Sequence, residues 1–186
     1  MLNILITGVG GQGTVLTARL LGLAALYQGL DVRGSETIGM AQRGGSVASH
    51  VRMGKDIASP LIPPGQADLI LAFEPGEALR AAGFLSPSGL MLASNRPAGA
   101  NYNRADVQNW LDSHIHAMHW IDGGRVIAAT GARSLNIAMI GAAVSLGGFR
   151  GAIDLGDIEK AIKARLPERF WDMNIRALHD GGVAVL

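Results

Sequence analysis

Two glycine-rich segments hold the residue types best suited to chemistry. The first is Gly8-Val9-Gly10-Gly11-Gln12-Gly13. It follows the short apolar run Leu2–Thr7 and precedes a Leu- and Ala-rich stretch that closes at Gly29. The spacing is G-x-G-x-x-G between a strand and a helix, the opening of a βαβ unit. On that pattern Gly8 permits a tight turn, Gly10 removes a Cβ where a ligand or partner backbone comes close, and Gly13 lets the helix pack on the strand. Unpaired N–H groups at the helix start favour a phosphate or another anion. Gly8, Gly10, Gly11, Gln12, Gly13 and Thr14 are therefore the first candidate binding set. A Walker A loop is excluded, because Thr14 and Val15 stand where Lys and Ser or Thr are needed. A dinucleotide site also wants an acidic residue about 20 positions on, at the end of a second apolar strand. Asp31 and Glu36 lie near that distance, but Asp31–Glu36 is interrupted by Arg, Gly and Ser. Three readings stay open for this loop: a phosphate or interface contact, a nicotinamide or flavin site, and a purely structural turn.

The second segment, Glu36-Thr37-Ile38-Gly39-Met40-Ala41-Gln42-Arg43-Gly44-Gly45-Ser46, surrounds one arginine with three glycines. An arginine so placed presents a fork suited to a phosphate or a carboxylate. In an open α/β sheet, loops of this kind gather at the C-terminal edge of the strands, where ligands bind. Arg43, Gly44, Gly45 and Ser46 are the second candidate set; the competing reading is a surface loop with Arg43 in solvent.

Other residues carry less. His114, His116 and His119 invite a metal, yet a strand over Ile115–Ile121 would turn His119 away from its neighbours, so surface or interface histidines are the better reading and no metal site is assigned. Glu74 follows a strand end: it either caps the next helix or lines the site. Asn136, in the most apolar helical stretch, reads as a hydrogen-bonded interior amide, with ligand contact the lesser reading. No G-x-S-x-G elbow exists, and no catalytic residue is assigned.

The elements that must position these residues follow from periodicity. Strands are expected at Leu2–Thr7, Asp31–Glu36, Ser46–Met53 (half exposed, with Val47, Val51 and Met53 on one face), Ala67–Phe73, Gly89–Ser94 and Ile115–Ile121. Ile57–Leu61 is expected to pair back as a hairpin ended by Pro60, Pro63 and Pro64. Helices are expected over Gly13–Gln28, Gly76–Ala82, Arg104–Asp112 with Asn103 as cap, Arg125–Ala129, Arg133–Leu146, Asp157–Arg165 capped by Asp154 or Asp157, and Glu168–His179. This predicts an α/β, Rossmann-like, open and mostly parallel sheet with helices on both faces and a helical C-terminal segment, in one domain over 1–186.

Composition bounds the rest. The chain has 186 residues and no cysteine, which excludes a disulfide scaffold, a zinc ribbon and any iron–sulfur cluster held by its own thiolates. With 16 basic and 15 acidic residues the net charge is +1, giving no field that would draw nucleic acid or an anionic membrane. Charged residues are 17%, below the usual ~25%, and hydrophobic residues are 48%; a buried subunit interface is expected from this. Ser134–Phe149, the longest uncharged stretch worth testing, falls short of the ~20 apolar residues a span needs. The N-terminus lacks the basic start of a signal peptide, so a cytoplasmic location is the expectation.

Taken together, Gly8–Gly13 with Thr14, the string Gly39-Met40-Ala41-Gln42-Arg43-Gly44-Gly45-Ser46-Val47, Ser49-His50-Val51-Arg52, Ala67-Asp68 with Phe73-Glu74-Pro75, Asn136 through Gly141, and Asn174–Ala177 with Gly181 resemble the gamma-type subunits of 2-oxoacid:ferredoxin oxidoreductases. The Met-Ala-Gln-Arg-Gly-Gly string is closer to the indolepyruvate branch than to the pyruvate type. The resemblance runs from about Ile4 to Gly181. It implies a thiamine diphosphate enzyme that oxidatively decarboxylates a 2-oxoacid, passes electrons through 4Fe–4S clusters to ferredoxin and releases the acyl group on coenzyme A. This chain has neither a Gly-Asp-Gly diphosphate motif nor cysteines. The resemblance therefore places thiamine and clusters on a large alpha-type partner and leaves the glycine loops a role in coenzyme A or substrate contact and in assembly. The alternative is a stand-alone NAD(P)- or nucleotide-binding Rossmann protein. Asn95–Asn103 and the three histidines match no marker of the family.

Overall fold

The computed structural model describes residues 1–39, 44–97, 102–131 and 134–186. Arg43, with Met40, Ala41 and Gln42, lies outside the described residues. Among the described residues six strands form one sheet in the order β2-β3-β1-β4-β5-β6. They are β1 (Leu2–Val9), β2 (Asp31–Ile38), β3 (Ser46–Gly54), β4 (Ala67–Ala72), β5 (Leu85–Ser94) and β6 (Met118–Ile121). β1, β4, β5 and β6 pair in parallel. β3 is antiparallel to both β1 and β2. The sheet is thus mixed and mostly parallel, as expected, with a β2–β3 hairpin placed so that its tip lies at the C-terminal end of β1.

Period-two alternation assigns the two faces. Leu2, Ile4 and Ile6 of β1, with Leu69, Leu71 and Leu92, point to one layer. That layer contains α1 (Thr14–Tyr27), α4 (Gly123–Thr130), α5 (Leu135–Ser145), α6 (Leu155–Arg165) and α7 (Trp171–Asp180). Leu5, Ile70, Ala72, Met91 and Ala93 point the other way, onto α2 (Pro75–Ala81) and α3 (Arg104–His114). The caps follow local chemistry: Asn103 Oδ1 accepts from Ala105 N, and Asp154 and Asp157 form a reciprocal capping box at α6. No single helix among the described residues is long and apolar enough to cross a membrane.

Three expectations need correction. β3 is buried along both faces, because Ser49, His50 and Arg52 are all buried. The segment after it, including Ile57–Leu61, does fold back on β3, but not as a strand. Prolines at 60, 63 and 64 cannot donate to a ladder, and side chains take its place. Arg52 donates through Nη1 to the carbonyls of Ser59 (2.8 Å) and Leu61 (3.2 Å) and through Nε to Asn3 Oδ1 (2.9 Å). His50 Nδ1 accepts the Ile62 N–H at 3.2 Å. Finally, β6 begins only at Met118: His114 ends α3, its ring stacked on Trp110 at 4.3 Å, and only His119 lies on the strand. The shared-face argument for the histidines therefore has no strand to act on.

Candidate functional site at the C-terminal edge of the sheet

The first glycine loop leaves β1 and turns into α1 by left-handed residues at Gly11 (φ 99°) and Gly13 (φ 89°). These two carry the turn, and Gly8 does not. Gly8 is the penultimate residue of β1 and is needed for space: a Cβ there would lie 2.7 Å from Gln12 Oε1 and 3.2 Å from Phe73 Cβ. Gly13 meets α5 instead of sheet, since its Cβ would stand 2.8 Å from the Asn136 amide nitrogen. Asn136 is 3% exposed, the interior position expected. Gln12 braces the loop from inside. Its Oε1 accepts from Val9 N (2.8 Å), and its Nε2 donates to the Phe73 carbonyl at the end of β4 (3.3 Å). Thr14 is buried; among the described residues no side chain caps α1, and no acidic residue occupies its first turn. Among the described residues the N–H groups of that turn have no side-chain partner, an arrangement whose chemistry suits an anion.

The second glycine loop is brought against the first. Gly10 N donates to the Gly45 carbonyl at 2.9 Å, and Gly39 N donates to the Ser46 carbonyl at 3.0 Å to close the hairpin. Gly44 sits at φ 76°, a left-handed position that glycine adopts without strain. Gly8, Gly10, Gly11, Gln12, Gly13, Thr14, Gly44, Gly45 and Ser46 thus form one cluster, while Arg43 falls outside the described residues.

Beneath the cluster lies a set of polar residues that the sequence analysis largely passed over. Ser46 Oγ donates to Glu77 Oε2 at 2.6 Å, and Thr7 Oγ1 donates to the same oxygen at 3.1 Å. Arg80 Nε reaches Glu77 Oε1 at 3.2 Å. One turn earlier, Glu74 Oε1 caps α2 by accepting from Glu77 N (2.8 Å), the capping role considered for it. Its Oε2 accepts from the Tyr102 hydroxyl (2.6 Å), which in turn accepts from Gly76 N (3.0 Å). Burial, followed by the hydrogen bond to Glu74, pushes the Tyr102 phenol up to about 12. A pair of glutamates three apart after a strand end, with Pro at the first helical position, was the available signal for this network.

The geometry decides against the dinucleotide alternative. In that fold the second strand neighbours the first and its terminal acid reaches the ribose. Here β3 separates β2 from β1, and Glu36 pairs with Ser49 of β3. It stands two strand spacings, about 10 Å, from the strand that carries the glycine loop.

The pattern of pyruvate ferredoxin/flavodoxin oxidoreductases matches residues 3–183. The chain belongs to this family. Within it, the chain is 36% identical over 190 residues to indolepyruvate oxidoreductase subunit IorB of Thermococcus kodakarensis, covering 96% of this chain and 93% of that one. Pyruvate oxidoreductase subunit PORC of Thermotoga maritima has the same fold (TM-score 0.75, 24% identity, 100% of this chain and 97% of that chain). So does a part of the 2-oxoglutarate:ferredoxin oxidoreductase of Magnetococcus marinus, solved with 2-oxoglutarate, coenzyme A and succinyl-CoA bound (TM-score 0.75, 18% identity, 98% of this chain and 30% of that chain). The family's relatives include subunits of 2-oxoacid oxidoreductases, and this chain is likewise an oxidoreductase subunit. The donor set for an iron–sulfur cluster is absent from its 186 residues, which include no cysteine.

Proposed function

We propose that this chain is the small subunit of a 2-oxoacid:ferredoxin oxidoreductase of the indolepyruvate or arylpyruvate type, folded as one domain over 1–186 and working in the cytoplasm. A large alpha-type partner holds thiamine diphosphate and 4Fe–4S clusters and hands electrons to ferredoxin. The small subunit contributes its two glycine loops to the site that receives coenzyme A and helps to hold the assembly together. The observation that carries this reading is the Gly10–Gly45 hydrogen bond, which joins both candidate sets at the C-terminal edge of the sheet. The coenzyme A bound in the structurally similar Magnetococcus enzyme supports it.

The chemistry asked of this chain is recognition. The N–H groups at the start of α1 and the backbone of Gly44 and Gly45 offer donors to a phosphate, and Arg43 supplies a planar fork. The test is Arg43→Lys in the coexpressed two-subunit enzyme, assayed by 2-oxoacid-dependent viologen reduction. Lysine keeps the charge and loses the fork. A rise in the coenzyme A KM equivalent to about 1.5–3 kcal/mol is expected, with subunits still associated. Weakened association at unchanged KM would assign the loop to the interface. Wild-type kinetics and assembly together would remove Arg43 from function.

A further inference from the structure

We infer that Glu77 is the positioning residue that sets the two glycine loops against each other. This rests on the reading of those loops as the coenzyme A-facing edge, and goes beyond it by assigning a residue that touches neither ligand nor reacting atoms. Glu77 lies on α2, outside both loops, and is 3% exposed. One of its carboxylate oxygens accepts from Thr7, the residue that precedes Gly8 of the first loop, and from Ser46, the residue that follows Gly45. A single buried oxygen therefore binds the roots of both loops, which the Gly10–Gly45 bond also joins. Hydroxyl donors to an ionised acceptor make short, strong bonds, and 2.6 Å from Ser46 is of that class. Two donors converging on one buried oxygen fix geometry better than either alone. Arg80 satisfies the second oxygen from the outside; its side chain is 71% exposed, so that ion pair is largely screened and is not what holds the loops. The neighbouring Glu74 faces Tyr102 and the α2 N-terminus and makes no bond to either loop root among the described residues.

The experiment uses the coexpressed complex with its large subunit. Glu77→Ala, Glu77→Gln and Arg80→Ala are compared by KM for coenzyme A, by kcat, and by amide exchange at Gly10 and Gly45–Val47. Glu77→Ala is expected to raise the coenzyme A KM at least fivefold with a smaller change in kcat, and to speed exchange at those amides at least tenfold. Glu77→Gln recovers most of both, because its amide oxygen still accepts from the two hydroxyls. Arg80→Ala stays at wild type. If Glu77→Ala does not assemble, Thr7→Val with Ser46→Ala removes both donors and is read in the same way. A wild-type KM in Glu77→Ala beside a raised KM in Arg43→Lys overturns the inference and leaves the coenzyme A reading intact. If Arg43→Lys and Glu77→Ala both keep wild-type KM, the coenzyme A reading fails; exchange then decides, and unaccelerated amides overturn the inference as well. Glu77→Gln as impaired as Glu77→Ala, or Arg80→Ala equally impaired, also overturns it, since charge and not the shared acceptor would then be at work.

Discussion

Gly141 on α5 faces the carbonyl oxygen of Leu178 on α7 with no space between them for a Cβ. The relation is reciprocated: a Cβ on Gly181, just past α7, would run into the carbonyl of Ala138 on α5. Two backbones approach closely here because neither glycine has a side chain, and this contact seats α7 on the helix whose Asn136 packs against Gly13. Both clashing atoms are backbone and cannot swing aside. Gly141→Ala is therefore expected to destabilise the chain by at least about 2–3 kcal/mol, the upper end of ordinary overpacking, in urea unfolding. Gly22→Ala is the control of opposite sign. Its Cβ would lie 3.5 Å from Val32 Cγ1, an ordinary contact, so the substitution should be neutral or stabilising by up to about 1 kcal/mol in mid-helix.

The same glycines show what was legible in the sequence. Gly141 and Gly181 stand out in the sequence only through the family resemblance, because a close helix crossing leaves no local signature. Parallel strands were legible because continuous apolar runs such as Ile4–Ile6 and Leu69–Leu71 are buried on both faces. β3 was misjudged because His50 and Arg52 read as solvent-facing, whereas the proline-rich return of residues 55–66 covers them through Ile62, Ser59 and Leu61. The glycine loops were legible by composition, but the partner of each glycine was not. Gly8 answers to Phe73, 65 positions later, and Gly13 to Asn136. The role of Glu77 on α2 has no local signature for the same reason: its donors, Thr7 and Ser46, come from the distant strands β1 and β3.

His50 gives a pH dependence. Burial lowers its pKa below 6.5, and Nδ1 accepts a backbone N–H, so the folded state needs the neutral ring. A depressed folded pKa means that the unfolded chain takes up the proton first. The contribution of His50 is then present above pH 6.5 and is lost as pH falls below it. His50→Gln, which retains an acceptor but cannot charge, should lose less stability than wild type between pH 7.5 and 5 in parallel urea titrations. Equal slopes would show that the folded ring takes up a proton as readily as the unfolded one, and hence that the Ile62 N–H to Nδ1 bond is not maintained in solution.

Tyr102 works at the other end of the scale. Its phenol is raised from 10 to about 12, so the folded state keeps a proton that the unfolded chain releases. The stabilisation is complete below pH 10 and falls as pH rises from 10 towards 12. Tyr102→Phe leaves Glu74 Oε2 and Gly76 N–H without the hydroxyl, at a cost on the order of 1.5–3 kcal/mol at neutral pH. It should also flatten the loss of stability between pH 9 and 11. An unchanged alkaline slope in the variant would mean that the Glu74–Tyr102 bond is not maintained in solution.

The division of labour proposed between this chain and a larger partner yields the last prediction. Electron transfer through iron–sulfur clusters needs thiolate ligands, and this chain has no cysteine; it also has no Gly-Asp-Gly sequence to seat a diphosphate. Among the described residues no three His, Asp or Glu side chains are placed to hold a metal either. Expressed alone, the chain should fold around its sheet, show no visible absorbance after anaerobic purification, and fail to reduce viologen with any 2-oxoacid and coenzyme A. Added to the proposed large partner, it should restore turnover at a one-to-one ratio, and it should elute with that partner in size-exclusion chromatography at micromolar concentration. Exposed Leu26, Leu61, Trp110 and Val183 give it apolar surface to cover in such a complex. Turnover by the chain alone would contradict the assignment of the redox chemistry to the partner. Separate elution of coexpressed subunits would contradict the assembly itself, and the glycine loops would then have to be explained by a ligand that this chain binds without help.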